Sequence, residues 1–297
     1  MALIPEHIPE HTPEQLELLP SDDDVAFFRE HGWYISKPIF TEEQIDDALY
    51  GAERHWAGER DHPLLIRGFL DWQPGDGDGL RLNDYTSLQN DDLRRFLFES
   101  VVGAIAARLA GTPRVRLFHD QLIYKPPVEP GKEAVIGWHT DKAYWQTCTS
   151  SDMLTAWIPF HDCGAREGTI HMIDGSHRWP GNEGMRTFYD QDLEDLERRF
   201  QTGGQPVRRV PMELKKGQAS FHHGSTIHGS PPNRSGAPRR SLAVHMQDDA
   251  NRYRRQLGPD GNPILHINDL LCRKGPDGLP DYADPDICPV LSGGEPV

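Results

Sequence analysis

In the stretch Trp138-His139-Thr140-Asp141 an imidazole and a carboxylate stand two residues apart, so an extended backbone projects both from one face. A second imidazole from elsewhere in the chain would complete two neutral ligands and one anion on one triangular face of an octahedron. That set holds iron(II) and leaves the opposite positions open to O2 and a chelating cosubstrate. Alone the pair is a weak signal, because His and Asp are common in loops. Support comes from FHHGSTIHGSPPNRSGAPRRSLAVHM, where His228 follows a β-like run 89 residues beyond His139 and Arg239 comes eleven residues later. A dicarboxylate whose 2-oxo acid end chelates the metal needs a fork of donors for its far carboxylate, and a guanidinium supplies one. Arg239 and Ser241 share one face of a strand and Arg240 takes the other, so Arg239 is the inward anchor. The reading is thus metal at His139, Asp141 and His228, with 2-oxoglutarate reaching Arg239.

Those residues sit in the part of the chain with β character. From about Val115 onward short apolar runs alternate with Gly, Pro and Asn, as a barrel or sandwich requires. The expected strands are Arg114 to Tyr124, Ile136 to His139, Met153 to Phe160, Thr169 to Ile173, Val207 to Glu213, Ala219 to His222 and Arg239 to Met246. Upstream the pattern is helical. Ser21 opens a short helix that His31-Gly32 closes before strand-like Trp33-Tyr34-Ile35. Thr41 and Gln44 form a capping box ahead of Ile45, Ala48, Leu49 and Ala52. One further helix is expected from Asp91 to Leu109, stopped by Gly111. Residues 1–20, with four prolines, read as an extended arm, residues 21–257 as the catalytic domain, and the turn-rich 258–297 as a tail packed on or near the barrel.

Composition narrows the class. With 36% hydrophobic and 26% charged residues the chain has apolar mass for a core, and no apolar run approaches the ~20 residues of a membrane span. The opening MALIPEHIPEHTPEQ lacks a signal-peptide layout, so a cytoplasmic protein is expected. Four scattered cysteines without a CxxC pair signal neither a zinc cluster nor a disulfide framework. The balance of 31 basic against 46 acidic residues opposes nucleic acid and anionic lipid, and leaves a small molecule as the expected partner of a monomer or homodimer. An acidic field would favour a cationic substrate, although a solvated acidic surface accounts for the same charge.

The landmarks EHGW, FHDQLIYKPP, GWHTDKAYW, TAWIPFHDCGAREGTIHMIDGSH and KKGQASFHHGSTIHGSPPNRSGAPRRS appear in that order between about Val25 and Met246. In them the sequence resembles the phytanoyl-CoA dioxygenase (PhyH) family. The resemblance implies a mainly β fold with flanking helices, the double-stranded β-helix (jelly-roll, cupin-like) barrel. It implies an iron(II)- and 2-oxoglutarate-dependent dioxygenase that consumes O2, with His139, Asp141 and His228 on iron and Arg239 on the cosubstrate carboxylate. It also implies that Ser230 assists Arg239, and that Gln121 and Trp157 touch the cosubstrate or line its pocket. Some relatives are halogenases with a small residue in place of the carboxylate, which Asp141 argues against here.

Blander roles fit several neighbours. His222 and His223 read as structural, since either as ligand would break the spacing to Arg239. His161, His171 and His177 sit at turns or strand ends. Lys125, ahead of Pro126, reads as solvating the end of a strand rather than supporting the cosubstrate. Tyr144 and Trp145 divide evenly between core and substrate wall, and Asp190 to Glu197 reads as a solvated helix face. The expected reaction is hydroxylation of an unactivated carbon in a small molecule, a natural-product intermediate being the expected class, with release of succinate and CO2. A cupin-like metal protein acting as isomerase, hydrolase or ligand-binding module without 2-oxoglutarate is the alternative.

Overall fold

A computed structural model describes residues 11–129 and 133–293. In chain order the helices are α1 (Pro13–Leu16), α2 (Asp22–His31), α3 (Glu42–Trp56), α4 (Thr86–Gln89), α5 (Asp91–Phe98), α6 (Val102–Ala110), α7 (Leu193–Thr202) and α8 (Asn268–Leu271). The strands are β1 (Trp33–Ile35), β2 (Arg81–Asp84), β3 (Val115–Lys125), β4 (Ile136–His139), β5 (Leu154–Pro159), β6 (His171–Ile173), β7 (Arg209–Pro211), β8 (Ser220–His223), β9 (His228–Ser230), β10 (Arg239–Asp248) and β11 (Val290–Ser292). They form two antiparallel sheets. The larger runs β1-β8-β5-β10-β3-β11 with β2 also on β3, and the smaller runs β4-β9-β6-β7.

The two-residue period of a strand sorts the larger sheet into an apolar face and a polar one. On its outer face Leu122, Ala156, Ile158, Phe221, Leu242 and Val244 join Ile45, Ala48, Leu93, Leu97 and Ile105 of the helices in one buried cluster. Each large side chain fully buried there contributes roughly 1.5–3 kcal/mol. On the inner face stand rows that run straight across the strands. His119, His245, Thr155 and His222 are successive partners on β3, β10, β5 and β8, and Asp84, Gln121, Ala243 and Trp157 form a second row. The site therefore lies between the sheets, on the face turned away from the helices.

Several elements depart from expectation. The Asp91 to Leu109 segment is two helices, because the Ser100 hydroxyl donates to Leu97 O and accepts from Val102 N, substituting for the helical ladder. In the N-terminal arm, expected to be extended, a Thr12/Gln15 capping box closes one helical turn over Pro13–Leu16. The part of that arm at residues 1–10 lies outside the described residues. The strand expected over Val207 to Glu213 is confined to Arg209–Pro211, where Pro211 has no N–H to continue the ladder. The tail is packed: β11 pairs with β3, and Tyr282, Cys272 and Cys288 are buried against Phe118. All four cysteines are free and buried. Among the described residues no helix is long and apolar enough to cross a membrane.

Candidate metal and cosubstrate site

His139 on β4 and His228 on β9 are directly opposed across the smaller sheet, which explains how ligands far apart in sequence come together. Asp141 does not continue the strand as the extended reading had it. Thr140 is extended, and Asp141 then opens a 3-10 turn over Asp141–Ala143. Its carboxylate still reaches the pair, with Oδ1 3.8 Å from His139 Nε2 and 3.5 Å from His228 Nε2. One ligand atom from each of the three residues lies within 4.8 Å of the others, and all three residues are buried. Metal–ligand bonds of about 2.0–2.2 Å put neighbouring donor atoms roughly 3 Å apart, so a small inward movement closes this triangle on an ion.

The remaining polar atoms of the triad are already engaged. His139 Nδ1 is 2.8 Å from Gly137 O and His228 Nδ1 is 3.0 Å from Thr226 O. Both Nδ1–H groups donate to backbone carbonyls, which leaves both Nε2 lone pairs for a metal. Burial lowers both imidazole pKa values, that of His228 to about 4, which favours the neutral ligating form. Burial would raise the Asp141 carboxyl, but the surrounding histidines, His228 foremost, hold it well below its ordinary range. Its Oδ2 accepts from Thr155 Oγ1 at 2.6 Å and faces His222 Nε2 at 3.1 Å, so Oδ1 remains for the ion. Thr155 Oγ1 is in turn 2.8 Å from His245 Nδ1. The donor set fits a divalent iron with a neutral-neutral-anionic face.

A cavity of about 310 Å³ joins this triad to Ser230 and Arg239. At that end Arg239 is 1% exposed, donates from Nη1 to Gly168 O at 2.5 Å and Ser230 Oγ at 3.3 Å, and has an unpartnered Nε. Burial brings its pKa down to about 10. Lys125, expected to solvate a strand end, is instead fully buried opposite Arg239 across β3 and β10. Its ammonium donates to the Ser230 hydroxyl, to Ser230 O at 3.1 Å and to Pro231 O at 2.8 Å. Burial, and then the neighbouring guanidinium, pushes the Lys125 pKa well down. Two buried cations with no ion pair among the described residues fit the far carboxylate of a dicarboxylic acid, and Ser230, accepting from both, keeps its own hydroxyl proton to donate.

Gln121 and Trp157 both line the cavity. The Gln121 amide donates to Asp84 Oδ1 at 3.0 Å, while the Trp157 indole donates to Ser241 Oγ at 3.1 Å with the Arg239 guanidinium 5.3 Å from its ring. Arg240 points to the other face and pairs with Glu53 at 2.9 Å. Tyr144 and Trp145 line the cavity, and Trp145 also packs in a core cluster with Phe118. His223 accepts from Ser225 N, His161 from Arg240 N and His171 from the Arg209 guanidinium, while His177 faces Arg29 O, all outside the triad. Thr155, His245, His266 and Asp84 line the cavity without having been singled out, and His222, read as structural, faces the Asp141 carboxylate. The common strand parity of Thr155, Trp157 and Pro159, and of His245 and Arg239, was the signal available for two of them.

The model of the family described as phytanoyl-CoA dioxygenase (PhyH) matches residues 28–241. The peroxisomal phytanoyl-CoA dioxygenase of Rattus norvegicus is 22% identical over 269 residues, 87% of this chain and 78% of that one. Among solved structures, the alpha ketoglutarate dependent carbocyclase SnoK from nogalamycin biosynthesis is 21% identical with a TM-score of 0.69, covering 92% of this chain and 97% of its own. The epimerase SnoN in complex with Fe3+, alpha ketoglutarate and nogalamycin RO is 25% identical, with a TM-score of 0.66 over 94% of this chain and all of its own (100%). EctD from S. alaskensis with 2-oxoglutarate and 5-hydroxyectoine is 19% identical, with a TM-score of 0.65 over 93% and 91%. The chain belongs to the phytanoyl-CoA dioxygenase family and is a non-haem iron(II)- and 2-oxoglutarate-dependent dioxygenase of cupin-like jelly-roll fold.

Proposed function

We propose that the enzyme hydroxylates an unactivated carbon of a small-molecule substrate, a natural-product intermediate, using His139, Asp141 and His228 as the iron ligands and Arg239 as the cosubstrate anchor. The observation that carries the site assignment is the cavity running from the three convergent ligand atoms to the buried guanidinium of Arg239, beside which Lys125 is also buried without an ion pair among the described residues. When bound, iron(II) with 2-oxoglutarate supplies the oxidising power of O2 to a C–H bond and releases succinate and CO2. His139 and His228 offer Nε2 and Asp141 offers Oδ1, while Thr155 and His222 fix the carboxylate's orientation. Arg239, Lys125 and Ser230 receive the far carboxylate, and Trp157 walls the space beside it. Ile136, Ile170 and Phe188 give the cavity an apolar lining that excludes water from the reacting carbon.

The substrate class is supported by a cavity of small-molecule size and by fold neighbours that come from nogalamycin biosynthesis or were solved with nogalamycin RO or 5-hydroxyectoine. Anaerobic addition of iron(II) and 2-oxoglutarate should produce the visible charge-transfer band of the chelate. In air, candidate small molecules should then drive succinate formation coupled to a hydroxylated product. Asp141→Ala, which removes the ligand itself rather than its supporting partner, should weaken iron binding by more than about a hundredfold and abolish turnover. Product formation by that variant at the normal rate would remove Asp141 from the metal.

A further inference from the structure

One inner-face group has no part in holding iron or 2-oxoglutarate. Asp84, last residue of β2, is 8% exposed and lines the cavity in the same row as Gln121 and Trp157. Among the described residues its carboxylate accepts from two neutral donors, Gln121 Nε2 at 3.0 Å and Leu70 N at 3.4 Å, and makes no ion pair. The adjacent buried carboxylate shows the contrast. Asp120, on the outer face of β3, takes the backbone N–H and hydroxyl of both Thr86 and Ser87. Asp120 is satisfied from within the fold, whereas Asp84 has acceptor capacity left toward the cavity.

Its placement is built. Tyr85 adopts a left-handed backbone with φ 59°, fixed by its N–H on Asp120 O at 2.8 Å and its hydroxyl on Asn268 Oδ1 at 2.6 Å. A β-branched or bulky residue rarely sits there, and such outliers persist where the surroundings over-determine them. The turn ends β2 with Asp84 still in register with Gln121. Phe69, Phe188 and Tyr189 line the same cavity, and aromatic faces attract cations. Phe69, Leu70 and Tyr189 also line a neighbouring groove whose charged residues are Asp71, Asp76, Asp78, Glu129 and Glu133 against Arg67, with Asp71 paired to Arg60 and Arg67 and Glu133 to Arg234. The cavity's other cation, Arg186, lies 5.1 Å from the Tyr144 ring and forms no ion pair with Asp84.

We infer that the substrate carries a protonated basic nitrogen, received inside the cavity by the Asp84 carboxylate and approached through the acidic groove. This rests on the oxygenase reading above and names the substrate class for that same site. A carboxylate enclosed by a bound ligand loses its water, and a cation with a hydrogen to donate is what offsets that loss. Consistent with a site short of positive charge, burial, and then the nearby carboxylates Asp120 and Asp71, push the Asp84 pKa up to about 7.

The test uses protein loaded anaerobically with iron(II) and 2-oxoglutarate, titrated with benzylamine and, separately, with benzyl alcohol. Binding is read from the chelate band and from tryptophan fluorescence, since Trp145 and Trp157 line the cavity. Benzylamine should bind about tenfold or more tightly than the alcohol. Asp84→Asn keeps an oxygen acceptor for Gln121 and removes only the charge. It should weaken the amine by about 10- to 100-fold, leave the alcohol within about twofold, and still form the iron–cosubstrate complex. An amine that binds no better than the alcohol overturns the inference. So does a variant that weakens both probes alike or loses the chelate band, because Asp84 would then act by positioning Gln121. Absence of the chelate band in the wild-type protein counts against the oxygenase reading instead, and the amine preference is still read from fluorescence.

Discussion

The two ends of the cavity solve opposite problems. Within the triad itself each polar atom not aimed at the candidate ion position already has a partner: Gly137 O for His139, Thr226 O for His228, Thr155 and His222 for Asp141. At the other end Arg239 keeps an unpartnered Nε, and Lys125 shares Ser230 with it although both are cations. The first end is organised before anything binds. The second carries buried charge that a dianion would relieve, so on the proposed assignment affinity for metal is a matter of geometry and affinity for cosubstrate a matter of charge.

That difference is open to attack from either side. Arg239→Ala should have the largest effect, raising the 2-oxoglutarate concentration needed for half-maximal succinate formation by about a hundredfold or more, since two charge-assisted hydrogen bonds at ~1.5–3 kcal/mol each are lost. Iron affinity measured without cosubstrate should stay within about threefold. A parallel fall in both would show that the ends are not independent. Thr155→Val is the converse substitution, removing the hydroxyl that holds Asp141 Oδ2 while keeping the side-chain shape. It should weaken iron by about 10- to 100-fold and leave 2-oxoglutarate binding near normal. Unchanged iron affinity would mean that His222 alone orients the carboxylate.

The last comparison concerns the metal-free protein and acid. His222, His228 and His245 are each pushed down to about 4 by burial, against about 6.5 when exposed. Between those values the unfolded chain binds protons that the folded one does not. Stability should therefore be complete above about pH 6.5 and fall as pH drops toward 4, by about 1.4 kcal/mol per pH unit for each proton taken up. Urea unfolding midpoints across that range test it, and a flat profile would contradict neutral burial of the metal end.

The triad and Arg239 were legible because their chemistry is written in residue types at short spacings, and strand alternation then decides which neighbour points inward. The same alternation reached further than the bland readings allowed. Lys125 shares parity with Gln121 on β3, and this outweighs the break suggested by Pro126; the residue is buried. His245 and Thr155 follow from Arg239 and Trp157 in the same way. Asp84 was not legible, since its strand lies in a Gly- and Asp-rich stretch and gains its register only by pairing with β3. The split between α5 and α6 was hidden because Leu93, Leu97, Val101 and Ile105 keep a helical period across a break made by one serine hydroxyl.

Gly137 sits two residues before His139, and a methyl group there would lie 2.0 Å from Thr187 O and 2.6 Å from Asp190 O. Its N–H bonds to Phe188 O at 2.8 Å, Thr140 N bonds to Met185 O at 3.3 Å, and the Thr187 hydroxyl donates to Trp138 O. The ribbon that carries His139 is thus stitched to the segment that presents Phe188 and Tyr189 to the cavity. With His139 on iron as proposed, redesign of substrate scope through residues 185–190 would tug on the metal as well, so libraries there should be sorted for retained metal before they are sorted for new products.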